Sequence, residues 1–213
     1  MPRRREIAAR LAAVRERILA AGGDPDAIAV VAVTKGRPLE DCQAARAAGL
    51  QRLGENRVSE ALPKLEALPE AEWHLVGHLQ TNKVRDAAGH FALIHSVDSL
   101  HLAEAIARRA PEQPVLLQVN TSREPQKQGF DPAAALAAVV AVAQLLPLQG
   151  LMCMAAAEGD PGPAFVELRR LRDQAEQRLG RRLPVLSMGM TQDFEAAVRA
   201  GSTMLRLGRI LFD

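Results

Sequence analysis

The chain has 213 residues with 27 basic and 25 acidic side chains, so it can bury a sizeable core while its net charge of +2 offers no strong field to nucleic acid or a membrane surface. No apolar run is long enough to span a bilayer, and no signal-peptide pattern opens the sequence. Its two cysteines, Cys42 and Cys153, share no metal-ligand spacing, which makes a reducing cytoplasm the expected compartment.

In chain order, an amphipathic helix is expected from Arg4 to Ala21, ended by Gly22-Gly23, with Arg3-Arg4-Arg5 at its start read as solvated surface. The run Ala29-Val30-Val31-Ala32-Val33 is rich in β-branched residues and reads as a strand covered on both faces. Gly36 and Pro38 end it, which leaves Lys35 at its mouth. Partial desolvation there would lower the amine's pKa and free it to form a Schiff base with an aldehyde. The alternative is a strand-end lysine that reaches solvent.

Further strands are expected at Gln51 to Leu53, Trp73 to Val76, Ala92 to His95, Val115 to Val119, Leu148 to Met152, Pro184 to Ser187 and Met204 to Leu207. Helices fall between them at Leu39 to Ala48, Glu55 to Ala67, Thr81 to Ala88, Leu100 to Arg109, Pro132 to Leu146, Pro163 to Leu179 and Phe194 to Ala200. Eight strands alternating with helices form the pattern of a (β/α)₈ TIM barrel, here with an extra N-terminal helix and shorter than the usual length of about 250 residues. A doubly wound open sheet is the runner-up, weakened because no Gly-x-Gly-x-x-Gly follows the first strand. With no linker-like tract, residues 1–213 are expected to form one domain.

In a barrel, residues just past the strand ends converge on one mouth. Those positions hold Lys35, Gly54-Glu55-Asn56, Gly77-His78-Leu79-Gln80, Asn120, the run from Ser187 to Asp193, and Arg206-Leu207-Gly208-Arg209. The last two groups have the makings of a phosphate cradle. Gly189 and Gly208 allow close backbone approach, Thr191 carries a hydroxyl, and a helix beginning near Asp193 turns its free N–H groups toward the same loop. Asp193 as a plain helix cap among ordinary turns is the competing account. An imine-forming lysine and a phosphate cradle at one mouth match the two ends of pyridoxal 5′-phosphate.

The segments Val33-Thr34-Lys35, Gly54-Glu55-Asn56-Arg57, Trp73 to Lys83, Gly150-Leu151-Met152, Leu186-Ser187-Met188-Gly189-Met190-Thr191 and Gly201 to Gly208 carry a further signal. In this order, over nearly the whole chain, the sequence resembles the pyridoxal phosphate homeostasis proteins, single-domain relatives of the alanine racemase barrel. The resemblance implies a fold-type III cofactor-binding barrel. It also implies that Lys35 carries the internal aldimine, that Thr191 and backbone N–H groups around Gly208 hold the phosphate, that Arg206 faces the pyridine nitrogen, and that Asn56 lies near the ring. An arginine beside that nitrogen disfavours pyridinium, which leaves the ring a weaker electron sink. Arg209 stands where the family has a small hydroxyl residue, so its backbone N–H or its guanidinium would have to supply that phosphate contact. Asp213 stands where glycine is usual.

Other residues read as structural. His74 is expected to be a hydrogen-bonded core histidine, His90 and His101 to lie on the surface, and His78 and His95 to approach the mouth without forming a metal site. The apolar helix from Pro132 to Leu146 is expected to pack on the barrel. Two function classes follow: a carrier that sequesters and delivers pyridoxal phosphate to apo forms of enzymes that use it, and an amino-acid racemase on the same barrel. In the racemase family the second base is a tyrosine from a partner subunit that also bears a separate β domain, and this chain has no tyrosine. The non-enzymatic, monomeric carrier is therefore the expected reading. The loop from Asn120 to Phe130 is expected to be flexible and to overhang the mouth, where Lys127 is either a solvated loop lysine, the simpler reading, or a second amine during release.

Overall fold

A computed structural model describes residues 2–213. Its eight strands are β1 (Ala29–Val33), β2 (Arg52–Glu55), β3 (Glu72–Leu75), β4 (Leu93–Val97), β5 (Val115–Gln118), β6 (Leu148–Met152), β7 (Val185–Ser187) and β8 (Met204–Leu207). All adjacent pairs run parallel, and β1 pairs with β8 as well as β2, so the sheet closes into a barrel in sequence order. The helices are α1 (Pro2–Ala20), α2 (Leu39–Ala47), α3 (Val58–Ala67), α4 (Val84–Ala87), α5 (Leu100–Arg109), α6 (Ala135–Leu145), α7 (Gly162–Leu179), α8 (Phe194–Arg199) and α9 (Arg209–Phe212). The TIM barrel expected from the alternation is the observed fold.

Parallel strands covered on both faces are largely apolar, and β4, β5 and β8 are buried at every position, although His95, Ser96, Gln118 and Arg206 bury polar groups among them. Val31, Leu93, Leu116, Met152 and Met204 pack together inside the barrel. Leu53, Ile94, Phe165 and Phe194 belong to the layer between strands and helices. The α6 helix packs on β6, α5 and α7, as its apolar composition requires.

Several boundaries differ from the sequence pattern. Glu55, expected to open a helix, instead ends β2 with its side chain fully buried, and α3 starts three residues later. The buried carboxylate is tolerated because Lys64, one helical stretch onward, reaches back to pair with it at 2.6 Å. The helix expected from Thr81 to Ala88 is a 3₁₀ turn at Thr81–Lys83 followed by the single turn of α4.

The helical wall around the barrel is completed by α1. The segment after β8 contributes only the one-turn α9, and α1 packs against α2, α8 and α9, filling the gap in the helical wall. Arg3, expected to be solvated, is instead the clamp: it donates to both Asp41 carboxylate oxygens at 2.7 and 3.0 Å and to the Phe212 carbonyl at 2.9 Å. Arg4 and Arg5 are exposed, as expected.

The hydrogen bond from Arg3 holds the Asp41 carboxyl below its ordinary value of 3.8, so the pair stabilises the fold above that pH and loses its effect as pH falls through the lower folded value. Arg3→Ala should lower unfolding free energy by about 1 kcal/mol at pH 7, a figure discounted for the partial exposure of Arg3. Urea titrations should show the gap between wild type and variant closing below about pH 4; a gap independent of pH would remove Asp41 from the interaction.

Candidate functional site

The strand ends converge on a cavity of about 460 Å³, and its walls include Lys35, Asn56, Thr191, Arg206, Gly208 and Arg209. The six residues singled out from the sequence therefore share one space. Its volume lies in the range of small-molecule sites, about 300–1,000 Å³.

Lys35 follows β1 by two residues, and Gly36 continues the turn at φ +68°. The expected desolvation of its amine is not seen: Lys35 is exposed, because strand burial ends at Thr34 and the cavity opens to water at this edge. Behind it lies a buried polar knot. Glu55 Oε1 accepts from Thr34 Oγ1 and Lys64 Nζ, each at 2.6 Å, and Lys64 Nζ also donates to the Thr34 carbonyl at 3.0 Å. This knot ties the last buried residue before Lys35 to β2 and α3. Asn56, the next residue after Glu55, lines the cavity with the segment after β3 packed closely against it. Gly77 lies so near that a Cβ there would overlap the Asn56 backbone.

The loop after β7 forms the second wall. Gly189 has φ +99°, and a Cβ there would come within 2.7 Å of the Ala197 Cβ, so only glycine fits the turn. Phe194 N–H bonds the Met190 carbonyl, which leaves the amides of Thr191 and Gln192 ahead of the first helical hydrogen bond. Asp193 is not the plain cap of the competing account. Its Oδ1 accepts from the Met190 N–H at 2.6 Å, back into the turn, and makes no side-chain cap on α8. Gly208 lies against β1, where an added Cβ would stand 3.4 Å from the Val33 carbonyl oxygen; its lack of a side chain leaves that space to the cavity.

Arg206 is buried, and its guanidinium donates to the Ser187 carbonyl at 2.7 Å, to Ser187 Oγ at 2.7 Å and to the Cys153 carbonyl at 2.9 Å. Three of its five N–H groups are so engaged, leaving two for the cavity. Burial pushes its pKa down, yet among the described residues no carboxylate forms a salt bridge with it. A buried cation hydrogen-bonded only to neutral oxygens, with the Asp193 charge acting on it from beyond salt-bridge distance, favours a further anion beside it. Lys35, Lys127, Arg206 and Arg209 face this cavity against the single carboxylate of Asp193.

Other expected positions resolve differently. Asn120 does not line the cavity; its amide donates to the Glu124 and Lys127 carbonyls at 3.0 and 3.1 Å, stapling the loop that was expected to be flexible. That loop does overhang the mouth, and Lys127 lines the cavity while donating to the Ala155 carbonyl at 2.7 Å and pairing with Glu124. His78 pairs with Asp98 at 3.0 Å beside a neighbouring groove, and His95 is buried inside the barrel. His90 and His101 are exposed, as expected. Among the described residues no group of histidine, cysteine or carboxylate side chains is arranged to hold a metal.

The sequence reading missed the wall formed by Met154 to Ala157, Gly159 and Pro161. Its position directly after β6 was a usable signal, since each βα loop of a barrel reaches the same mouth. Small apolar residues had no chemistry to mark them.

The chain matches the family described as alanine racemase, N-terminal domain, over residues 4–213. It is 40% identical over 210 residues to the pyridoxal phosphate homeostasis protein of Pseudomonas aeruginosa, covering 94% of this chain and 90% of that protein. The protein of that name from Escherichia coli is also 40% identical, with 97% and 96% covered. PipY of Synechococcus elongatus, in its structure without PLP, superposes with a TM-score of 0.88 at 38% identity over 97% of this chain and 100% of that one. With PLP bound the TM-score is 0.85 at 37% identity, with the same coverage. Alanine racemase of Corynebacterium glutamicum shares the fold, with a TM-score of 0.78 at 17% identity over 98% of this chain and 60% of that one.

Proposed function

Because this chain belongs to the alanine racemase N-terminal domain family, and within it to the pyridoxal phosphate homeostasis proteins, we propose that it binds pyridoxal 5′-phosphate on Lys35 and holds it for delivery to other proteins. One observation carries the reading: a single cavity brings together an accessible lysine amine, a turn of unengaged amides at Thr191 and a buried arginine without a carboxylate partner. The cofactor's aldehyde, phosphate and ring nitrogen are the groups that such a cavity complements. PipY, named as binding PLP in its structure, supports the assignment by its likeness over the whole chain.

The roles follow from the chemistry of each residue. The Lys35 amine condenses with the aldehyde, forming the C=N bond and releasing water. Thr191 donates its hydroxyl to the phosphate together with the amides of its turn and those near Gly208, and Arg209 adds positive charge at the rim. Arg206 offers a remaining N–H to the ring nitrogen, and Asn56 lies beside the ring. A cation at that nitrogen keeps it unprotonated and limits carbanion chemistry. The chain has no tyrosine to act as the second base that racemisation by this fold employs, which favours storage and delivery over turnover.

Borohydride reduction of the loaded protein should fix the adduct on Lys35, and Lys35→Ala should fold but stay colourless. Incubation with L-alanine in deuterium oxide should yield no D-isomer. A reducible adduct persisting in Lys35→Ala would overturn the lysine assignment, and sustained D-alanine production would overturn the carrier reading in favour of the racemase.

Thr191→Ala removes one donor to a charged acceptor, worth about 1.5–3 kcal/mol, so affinity for pyridoxal phosphate should fall roughly ten- to a hundredfold. Pyridoxal without the phosphate should bind poorly and be insensitive to the substitution. Equal losses for both ligands in equilibrium titrations would refute the cradle.

Release is faster when a second amine replaces that of Lys35 than by waiting for hydrolysis. Lys127 lines the cavity, donates to the Ala155 carbonyl and pairs with Glu124, which supports a role as that second amine: it would pass a proton to Glu124 and bond the aldehyde carbon as the bond to Lys35 breaks and the Lys35 nitrogen takes up a proton. Lys127→Ala should slow transfer to an apoenzyme with little change in equilibrium binding. Transfer at the wild-type rate would leave direct release from Lys35.

A further inference from the structure

A chain of buried polar side chains leads away from Arg206 through the barrel. Arg206 Nη1 donates to Ser187 Oγ at 2.7 Å; Ser187 Oγ lies 2.9 Å from His95 Nδ1; His95 Nε2 lies 2.8 Å from His74 Nδ1; and His74 Nε2 lies 3.2 Å from Glu72 Oε1. Ser187, His95 and His74 are at most 1% exposed. The chain starts near the top of β8, crosses the interior by way of β7 and β4, and ends at the first residue of β3 on the opposite face. There Glu72 also accepts from Arg52 at 3.2 Å.

Both ends can take only one role. The guanidinium has no acceptor, and the carboxylate has no donor. Ser187 Oγ therefore accepts from Arg206 and is free to donate its own proton to His95 Nδ1. With one proton on each ring, His95 donates from Nε2 to His74 Nδ1, and His74 donates from Nε2 to Glu72. Every link then points the same way, and each histidine is confined to one tautomer. Burial, followed by the charges of His74 and Arg206 nearby, holds His95 well below its ordinary pKa, which agrees with a neutral His95 ring. Around Arg206 the remaining charged groups at the cavity are Asp193, Lys35, Lys127 and Arg209.

We propose that Ser187 and His95 are positioning residues that hold the Arg206 guanidinium in register with the ring nitrogen of the bound cofactor, with His74 and Glu72 anchoring the chain at the far face of the barrel. This rests on the cofactor reading above. The physical requirement is that Arg206, lacking a carboxylate partner, has only neutral acceptors to set its orientation. A serine hydroxyl whose proton is committed to His95 presents its lone pairs to Arg206 alone. Without His95 that proton is free to turn, and the lone pairs turn with it.

The test uses the full chain in two states. In the ligand-free protein, ¹⁵N resonances of His95 should report the Nε2–H tautomer with Nδ1 unprotonated; the opposite tautomer would overturn the chain whatever the protein binds. In the loaded protein, His95→Leu and Ser187→Ala should let the ring nitrogen protonate more easily, because the neighbouring cation is less firmly held. With ¹⁵N-labelled ligand, the ring-nitrogen resonance should titrate about one pH unit higher than in wild type, a tenfold shift in the protonation equilibrium. His95→Asn puts an oxygen where Nδ1 stands and should restore most of the wild-type profile. Preference for the phosphorylated over the unphosphorylated ligand should be the same in all variants. An unchanged ring-nitrogen titration in both His95→Leu and Ser187→Ala, or a His95→Asn titration no nearer wild type than that of His95→Leu, would overturn the positioning role. Wild type that forms no coloured complex would instead sink the cofactor reading, while the ligand-free tautomer would still decide the direction of the chain.

Discussion

The pairing of β1 with β8 is the constraint on which the site depends. Ala29, Val30, Val31 and Ala32 stand in register with Met204, Leu205, Arg206 and Leu207. Closing the sheet there brings Lys35, near the start of the chain, to the same edge as Arg206, Gly208 and Arg209, about 170 residues later. Slipping parallel pairing by one residue would turn Arg206 from the interior toward the helices and bury an apolar side chain in its place. Closure also explains the importance of α1, because the wall beside β1 and β8 is completed by that helix and not by the single turn of α9.

Two buried charged groups flank this seam and are compensated in different ways. Glu55 is matched by a lysine from the following helix, so the pair is internally neutral and serves the backbone that leads to Lys35. Arg206 is matched only by carbonyl and hydroxyl oxygens, so its charge remains available to the cavity. Desolvating a charge is costly unless something opposite in sign shares the space. The difference separates a structural pair from a group poised for an anionic, electron-rich ligand. Lys35, by contrast, is left exposed at the edge of the same cavity.

Much of the architecture was legible in the chain. The limits of β1, β6, β8 and α5 follow directly from their apolar patterns, because burial on two faces or on one helical stripe leaves a periodic trace. Lys35, Thr191, Arg206 and Gly208 stood out because polar or glycine residues just beyond such runs face the mouth of a barrel. Less legible were the places where a partner distant in sequence decides the outcome. Glu55 looked like a helix start until Lys64 is seen to hold it in a strand, and Arg3 looked like surface until Asp41 and Phe212 are seen around it. His95 was placed near the mouth by its position at a strand end, but the inward side of β4 carries it into the barrel, where Ser187 of β7 meets it.

The sequence by itself determined the order of strands and helices, the class of fold, and the identity of the residues offered to the mouth, because these depend on local periodicity and on which residue types end a strand. Only the tertiary structure decided which of those residues face one another, that Asn120 staples a loop while Lys127 reaches the cavity, and that Arg206 is joined to Glu72 through Ser187 and two histidines. Those relations depend on strand register and on side chains meeting across a closed barrel. Residues 92 positions apart, such as His95 and Ser187, share no local pattern that could announce their contact.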